Sequence, residues 1–308
     1  MQIELPSRLP YPNTPAVDVV DDFHGTPVAD PYRWMEESEA PGLADWIGAQ
    51  NALTFSLIRA GGTRDRLHRR LTELWDYPKF SVLRREADRY FYWKNSGLQN
   101  QPELYMQSSV RAEPVSVLNP NVLSEDGTSA VTAESYTADG RLLGYALSRS
   151  GSDWQALRVR DLDSQTDLPD EIKWCKFTRP TWHPDQSGFF YSRYPEPGTV
   201  PPEEESYHQR VYWHALGTKQ ADDPLVYARP DARELGFQPR VTDDGNYLLL
   251  DVWKGTDPKN RVYYRRLEGN SGAGAIHPTH EPADSFDFVR LLETADARYE
   301  FVNNAGST

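Results

Sequence analysis

The 308 residues hold a single cysteine, Cys175, so no disulfide can close within the chain. Positive charge is also scarce. Lys and Arg number 33 against 46 Asp and Glu, a formal net charge of −13. Nothing in that balance concentrates positive charge for a phosphate backbone, so no nucleic-acid partner is expected. The acidic excess reads first as a solubility device and only second as a weak attraction for a positively charged ligand. No apolar run approaches the ~18 residues that a membrane-spanning helix needs, so no membrane partner is expected. The opening Met1-Gln2-Ile3-Glu4-Leu5-Pro6 lacks the basic and then apolar order of a secretory signal. A cytoplasmic location is the simplest expectation.

Catalytic signatures are missing as well. A serine hydrolase of the α/β class places its nucleophile in Gly-x-Ser-x-Gly, on a sharp strand-to-helix turn. No such string occurs. Ser150-Gly151-Ser152-Asp153-Trp154 comes nearest, but neither serine has glycines two before and two after it. A β-turn is the better reading of that segment. There is no phosphate-cradling glycine loop of either common kind. The seven histidines do not assemble a metal site. His277-Pro278-Thr279-His280-Glu281 sets two imidazoles three apart beside a carboxylate, but zinc would want a third ligand and a rigid element, and the neighbouring segment is the flexible connector Gly269-Asn270-Ser271-Gly272-Ala273-Gly274-Ala275. Neither a metal nor an organic cofactor is expected.

What is abundant is aromatic and turn-forming residues: 9 Trp, 17 Tyr, 11 Phe, 24 Pro and 20 Gly. Aromatic side chains suit a pleated, half-buried surface, and Pro and Gly suit frequent turns. Four hairpin-like units recur. They pair Tyr90–Trp93 with Glu103–Met106, Leu142–Leu147 with Leu157–Leu162, Phe189–Tyr191 with Arg210–Trp213, and Tyr247–Leu250 with Arg261–Tyr264. The second runs centre on Tyr105, Val159, Tyr212 and Tyr263, a period of roughly 50 residues, which points to propeller blades. One blade cannot bury both its faces, so the repeat implies stacked sheets. Ala138-Asp139-Gly140, Pro184–Gly188 and Asp243-Asp244-Gly245 are turn signals before first strands. Pro195–Glu205 is too proline-rich and acidic for a strand and reads as a solvated loop. Glu300–Thr308 aligns with the start of the fourth unit and implies a fifth that stops after its turn. We therefore expect the chain to be the front portion of a longer protein.

Residues 1–75 differ. Leu43, Trp46, Ile47, Gln50, Leu57 and Ile58 mostly share one helical face, with Pro41 near the first turn and Gly61-Gly62 at the end. A second helix is predicted from Thr63 as N-cap, with Leu67, Leu71, Leu74 and Trp75 on one side and Pro78 as its stop. The two helices either pack on each other or on a domain outside the chain. The expected architecture is mainly β: an N-terminal helical extension over 1–75, then an incomplete β-propeller over 76–308.

Specific strings carry a resemblance. Asp22-Phe23-His24-Gly25-Thr26-Pro27-Val28-Ala29-Asp30-Pro31-Tyr32-Arg33-Trp34-Met35-Glu36-Glu37, Asp76-Tyr77-Pro78-Lys79, Ser96–Gln101, Ser148–Trp154 and Val241–Gly245 resemble, in order, the N-terminal part of the prolyl oligopeptidase family. The resemblance runs from about residue 11 to the end. Leu98–Gln101 and Ser150–Trp154 favour that family over the basic-residue-cleaving oligopeptidase B.

The resemblance implies a seven-bladed propeller paired with an α/β-hydrolase peptidase domain, on which the N-terminal helices pack. It implies cleavage of short peptides after proline by a Ser-Asp-His triad. That triad is expected beyond Thr308, so this chain carries no catalytic residue and is expected to be inactive alone. The partners implied are short proline-containing peptides and the C-terminal hydrolase domain in cis. The family's propeller also lends side chains to the substrate cavity. By local match these are Phe177, Leu235 and Thr256, the last at a position that can be cysteine in relatives. Asp153 matches a carboxylate facing a substrate-orienting arginine of the peptidase domain. For all four, ordinary packing or turn chemistry is the competing reading. The rival functions are a non-catalytic propeller that binds a peptide or protein, and an oligopeptidase B-like peptidase cutting after basic residues.

Overall fold

The structure is a computed structural model that describes residues 9–59, 62–267 and 288–300. The implied fifth unit, the glycine-rich connector and the His277–Glu281 cluster lie outside those residues. The chain divides into two compact units, Met1–Tyr77 and Pro78–Thr308.

The first unit opens with a hairpin that our sequence reading did not anticipate, β1 (Val20–Phe23) with β2 (Thr26–Ala29). Its two-residue turn, His24-Gly25, has φ of 56° and 87°, the double left-handed geometry that suits tight hairpins. Arg33 opens a short 3₁₀ turn, Arg33–Glu36, and its guanidinium is held by Asp30 and Asp21. Trp34 Nε1 donates to the Pro15 carbonyl at 2.9 Å, and Trp46 Nε1 to Thr14 Oγ1 at 3.0 Å. The helices are α1 (Leu43–Ile58) and α2 (Thr63–Trp75). Gly62, in the left-handed region at φ 69°, caps α2, so Thr63 is its first residue rather than its N-cap. Only Leu43 of α1 is buried, and the stripe of Leu67, Leu71, Leu74 and Trp75 on α2 is exposed.

The second unit is four antiparallel sheets in sequence order. The first holds β3 (Lys79–Phe80), β4 (Arg84–Glu86), β5 (Arg89–Asn95), β6 (Glu103–Gln107) and β7 (Val115–Leu118), with β3 and β4 both pairing β5. The second runs β8 (Ala130–Tyr136), β9 (Leu142–Ser148), β10 (Gln155–Asp161), β11 (Thr166–Cys175). The third runs β12 (Thr181–Trp182), β13 (Gly188–Arg193), β14 (Arg210–Ala215), β15 (Leu225–Tyr227). The fourth runs β16 (Leu235–Val241), β17 (Tyr247–Lys254), β18 (Arg261–Arg266), β19 (Val289–Leu292). Each repeat expected from the sequence is one hairpin of this series. Tyr92 faces Tyr105, Gly144 faces Val159, Tyr191 faces Tyr212, and Leu250 faces Tyr263. Among the described residues no sheet closes on itself.

Side-chain alternation explains the stacking. On β9, Leu143, Tyr145 and Leu147 join a core with Phe91, Leu104 and Val117 of the first sheet. Their neighbours Leu142 and Ala146 join a different core with Phe189, Tyr191 and Tyr212 of the third. Phe190 then turns the other way, into a core with Leu248, Leu250 and Tyr263 of the fourth. A strand buried on both faces must be apolar without interruption, which is why these runs lack polar alternation. Gly144 marks a close approach between the second sheet and the segment leading into the third: a Cβ there would lie 2.9 Å from the Pro180 ring, so a larger residue would push the two apart. Backbone acceptors also tie the sheets together. Arg160 Nε donates to the Val117 carbonyl at 2.6 Å, and Thr181 Oγ1 to that of Pro239 at 2.9 Å.

Candidate functional site

The chain leaves β11 at buried Cys175 and enters β12 at Thr181. Between them Phe177 adopts φ 52°, a left-handed conformation that costs a bulky L-residue about 1–2 kcal/mol. Its neighbours hold it there. Lys176 Nζ lies 3.9 Å from the Trp154 ring centroid and donates to Ser206 Oγ at 2.9 Å. Thr178 is buried and its Oγ1 accepts from the Ser192 amide at 3.3 Å. Phe177 itself is 62% exposed, so core packing does not account for this conformation.

Phe177 lines a cavity of about 480 Å³ together with Asp153, Arg179, Gln155, Gln238 and Arg240, among others. Two of the sequence-predicted residues, Phe177 and Asp153, are thus brought together. Asp153 follows the turn at Ser150-Gly151, where φ is 52° and 71°. Ser148 Oγ donates to the Ser152 carbonyl, and the Trp154 amide to Ser152 Oγ at 3.1 Å. The serines of this segment are bound into a turn between β9 and β10, as the sequence reading preferred over a nucleophile elbow. Gln155 closes the same corner by donating to Thr132 Oγ1 at 2.6 Å.

The other two predicted residues stand elsewhere. Leu235, at 6% exposure, belongs to the core between the third and fourth sheets. Thr256 sits in the turn between β17 and β18. Neither lines the cavity that holds Phe177 and Asp153.

Arg179 and Arg240 were missed by the sequence reading. Arg179 is two residues past Phe177, and Arg240 alternates with Gln238 on β16, so period-two spacing was the available signal. Partial burial, then the like charges of Arg240 and Arg84, push the Arg179 guanidinium below its ordinary pKa.

Away from the cavity, buried His214 of β14 bridges the second and third sheets. Its Nδ1 lies 2.8 Å from Asp223, and its Nε2 lies 3.0 Å from Asp170 of β11. Both ring nitrogens face carboxylates, which only the doubly protonated imidazolium can satisfy. Burial alone would lower its pKa, but the hydrogen bonds and charges of Asp223 and then Asp170 raise it. Burial also pushes the Cys175 thiol well above its ordinary range, so that sulfur is unreactive packing.

Stacked antiparallel sheets of four or five strands, with a cavity lined from the edge strands β8 and β16, define a propeller-type domain. The family model for "Prolyl oligopeptidase, N-terminal beta-propeller domain" matches residues 12–308, and the chain belongs to that family. It is 32% identical to prolyl oligopeptidase A of Galerina marginata over 91% of this chain and 40% of that protein. It is 30% identical to the prolyl endopeptidase of Elizabethkingia meningoseptica, covering 97% of this chain and again 40% of the relative. Among solved structures, prolyl oligopeptidase B of Galerina marginata bound to a 25mer macrocyclization substrate superposes with a TM-score of 0.82 at 27% identity. That match covers 97% of this chain and 43% of the other. The chain therefore spans about 40% of the length of the curated relatives it matches and corresponds to their N-terminal propeller portion, without the catalytic domain.

Proposed function

We propose that this chain is the substrate-receiving portion of a serine peptidase that cleaves short peptides on the carboxyl side of proline. The observation that carries the reading is Phe177. An exposed aromatic, held in a strained conformation on a cavity wall, offers its face to an apolar peptide residue and serves no packing purpose. The relatives are prolyl oligopeptidases and endopeptidases, which supports proline as the cleavage determinant.

The chemistry belongs to a serine hydroxyl that attacks the proline carbonyl while histidine takes its proton and aspartate orients the histidine. These 308 residues contain no Gly-x-Ser-x-Gly, so their share is recognition and exclusion. The stacked sheets keep folded proteins from the reacting centre, and the wall around Phe177 and Asp153 contacts what enters. Asp153 faces an arginine of the hydrolase domain, and the exposed stripe on α2 packs on that domain. The proposed compartment is the cytoplasm, in keeping with the one buried cysteine. The test is the protein encoded by the complete gene, assayed with chromogenic peptides ending in Pro, Ala or Arg. Release after Pro alone is expected. Release after Arg alone, or none, would overturn the reading.

A further inference from the structure

The pairing of β10 with β11 ends at Gln155 opposite Cys175. Carried one residue beyond, that antiparallel register sets Trp154 against Lys176, and one residue further it sets Asp153 against Phe177. Side chains take over there from the backbone ladder. Lys176 Nζ stands 3.9 Å from the Trp154 ring centroid, well inside the about 6 Å over which an indole face attracts a cation. Tyr194, buried just after β13, completes the cluster: its ring meets Trp154 edge-on at 6.3 Å and lies 5.8 Å from Lys176 Nζ. Its amide donates to the Trp174 carbonyl at 2.9 Å, which anchors the cluster to the end of β11. The Thr178 amide donates to Gln155 Oε1 at 3.4 Å, a second tie between the same two segments. Asp153 and Phe177 line the peptide cavity, whereas Trp154 and Lys176 do not. Trp154 instead borders a separate space with Leu147 and Trp174.

We infer that the Lys176–Trp154 contact is a positioning clamp, which holds Phe177 on the cavity wall beside Asp153 and so sets the affinity for an apolar peptide residue without touching the peptide. This rests on the peptide-binding reading above and adds to it the residues that keep its aromatic contact in place. A bulky side chain at φ 52° relaxes to extended or right-handed backbone unless its surroundings over-determine it. The Phe177 ring is too exposed to lock itself by packing, so the constraint has to come from its neighbours. Relaxation would swing the ring off the wall. A peptide would then find its contact only in the fraction of molecules still correctly arranged, and the apparent Kd would rise by the inverse of that fraction. Lys176 constrains the segment twice, through its charge on the indole face and through its hydrogen bond to Ser206 Oγ at 2.9 Å. Arginine at this position keeps a cation over the ring, whereas methionine keeps the chain length and removes the charge.

The test uses the protein encoded by the complete gene and three chromogenic anilides, Ac-Phe-Gly-Pro, Ac-Gly-Phe-Pro and Ac-Gly-Gly-Pro. Phe177→Gly should abolish the advantage in KM of one Phe peptide over Gly-Gly, which identifies the peptide position that meets the ring. For that peptide Lys176→Met is expected to raise KM about five-fold with kcat unchanged, the scale of the strain that the clamp opposes. Both constants for the Gly-Gly peptide should stay as they are. Lys176→Arg should remain within about two-fold of the wild type. In the Phe177→Gly background Lys176→Met should add nothing, because the two changes act through one contact. If Lys176→Met does not fold by circular dichroism, Trp154→Leu is held to the same criteria. An unchanged KM, an equal loss with all three peptides, or a full Lys176 effect without Phe177 overturns the clamp and leaves the peptidase reading standing. A wild type in which Phe177→Gly abolishes neither advantage overturns the clamp together with the Phe177 contact. A wild type that releases nothing after Pro overturns the peptidase reading as well.

Discussion

The strands β9 and β17 look alike as sequence and behave differently as structure. Leu142-Leu143-Gly144-Tyr145-Ala146-Leu147-Ser148 is buried at every position. Tyr247-Leu248-Leu249-Leu250-Asp251-Val252-Trp253-Lys254 is almost as apolar, yet only Leu248, Leu250 and Val252 are buried. The first sheet behaves like the fourth: on β5 only Phe91 is buried, while Tyr90 and Tyr92 are half-covered. The difference lies in neighbours. The second and third sheets have a sheet on each face, and the first and fourth have one among the described residues. An uninterrupted apolar run thus records how many faces a strand needs covered, and the local fold satisfies that need only in the middle of the stack. The cavity with Phe177 is walled largely by this middle region, where rigid support is greatest.

The contrast can be broken most directly by core truncation. Phe189→Ala, at a fully buried position between the second and third sheets, should cost about 3–5 kcal/mol in urea unfolding. Leu249→Ala, on the half-covered face of β17, should cost about 1 kcal/mol. Equal losses would remove the distinction between middle and end sheets.

The middle of the stack should also carry the pH dependence. His214 has a raised pKa in the folded chain. Its contribution to stability is therefore complete below its ordinary value of 6.5 and fades as pH rises through the folded value. His214→Gln leaves Asp170 and Asp223 buried without their cation and should cost about 3 kcal/mol at pH 6. The variant should also lose the fall in melting temperature on going from pH 6 to pH 9. A fall of the same size in the variant would remove His214 from this role.

The helical unit and the end sheets should show their uncovered apolar surface. The chain is expected to bind a hydrophobic dye or to self-associate, and Leu71→Glu on α2 should reduce the dye signal measurably. A dye-silent monomer with one sharp transition would argue that these faces are covered.

The smallest effect is expected at the cavity. Phe177→Gly removes an exposed ring and relieves a left-handed conformation, so stability should change by less than about 1 kcal/mol. Loss of 3 kcal/mol would make Phe177 a packing residue.

Much of this fold was legible as periodicity. The four hairpins, the turns at Gly140 and Gly245 and the span of both helices follow from residue type and spacing. The β1–β2 hairpin was less visible because its strands are short and exposed, so no apolar alternation marks them; only the His24-Gly25 turn was a usable signal. Thr63 looked like a cap because its residue type favours that role, but Gly62 could take the left-handed conformation at no steric cost. The site was legible only in part. Resemblance pointed to Phe177 and Asp153, whereas Arg179, before β12, and Arg240, on β16, come to line one cavity from segments far apart in the chain, a juxtaposition no local pattern encodes.

The central claim is that these 308 residues receive a peptide and perform no chemistry on it. The direct measurement incubates the purified chain with a chromogenic peptide ending in proline and follows release of the chromophore. No release above the buffer rate is expected, because positioning without an activated nucleophile does not cleave an amide. Release that survives repurification and stops in proportion to an added serine-directed inhibitor would contradict it.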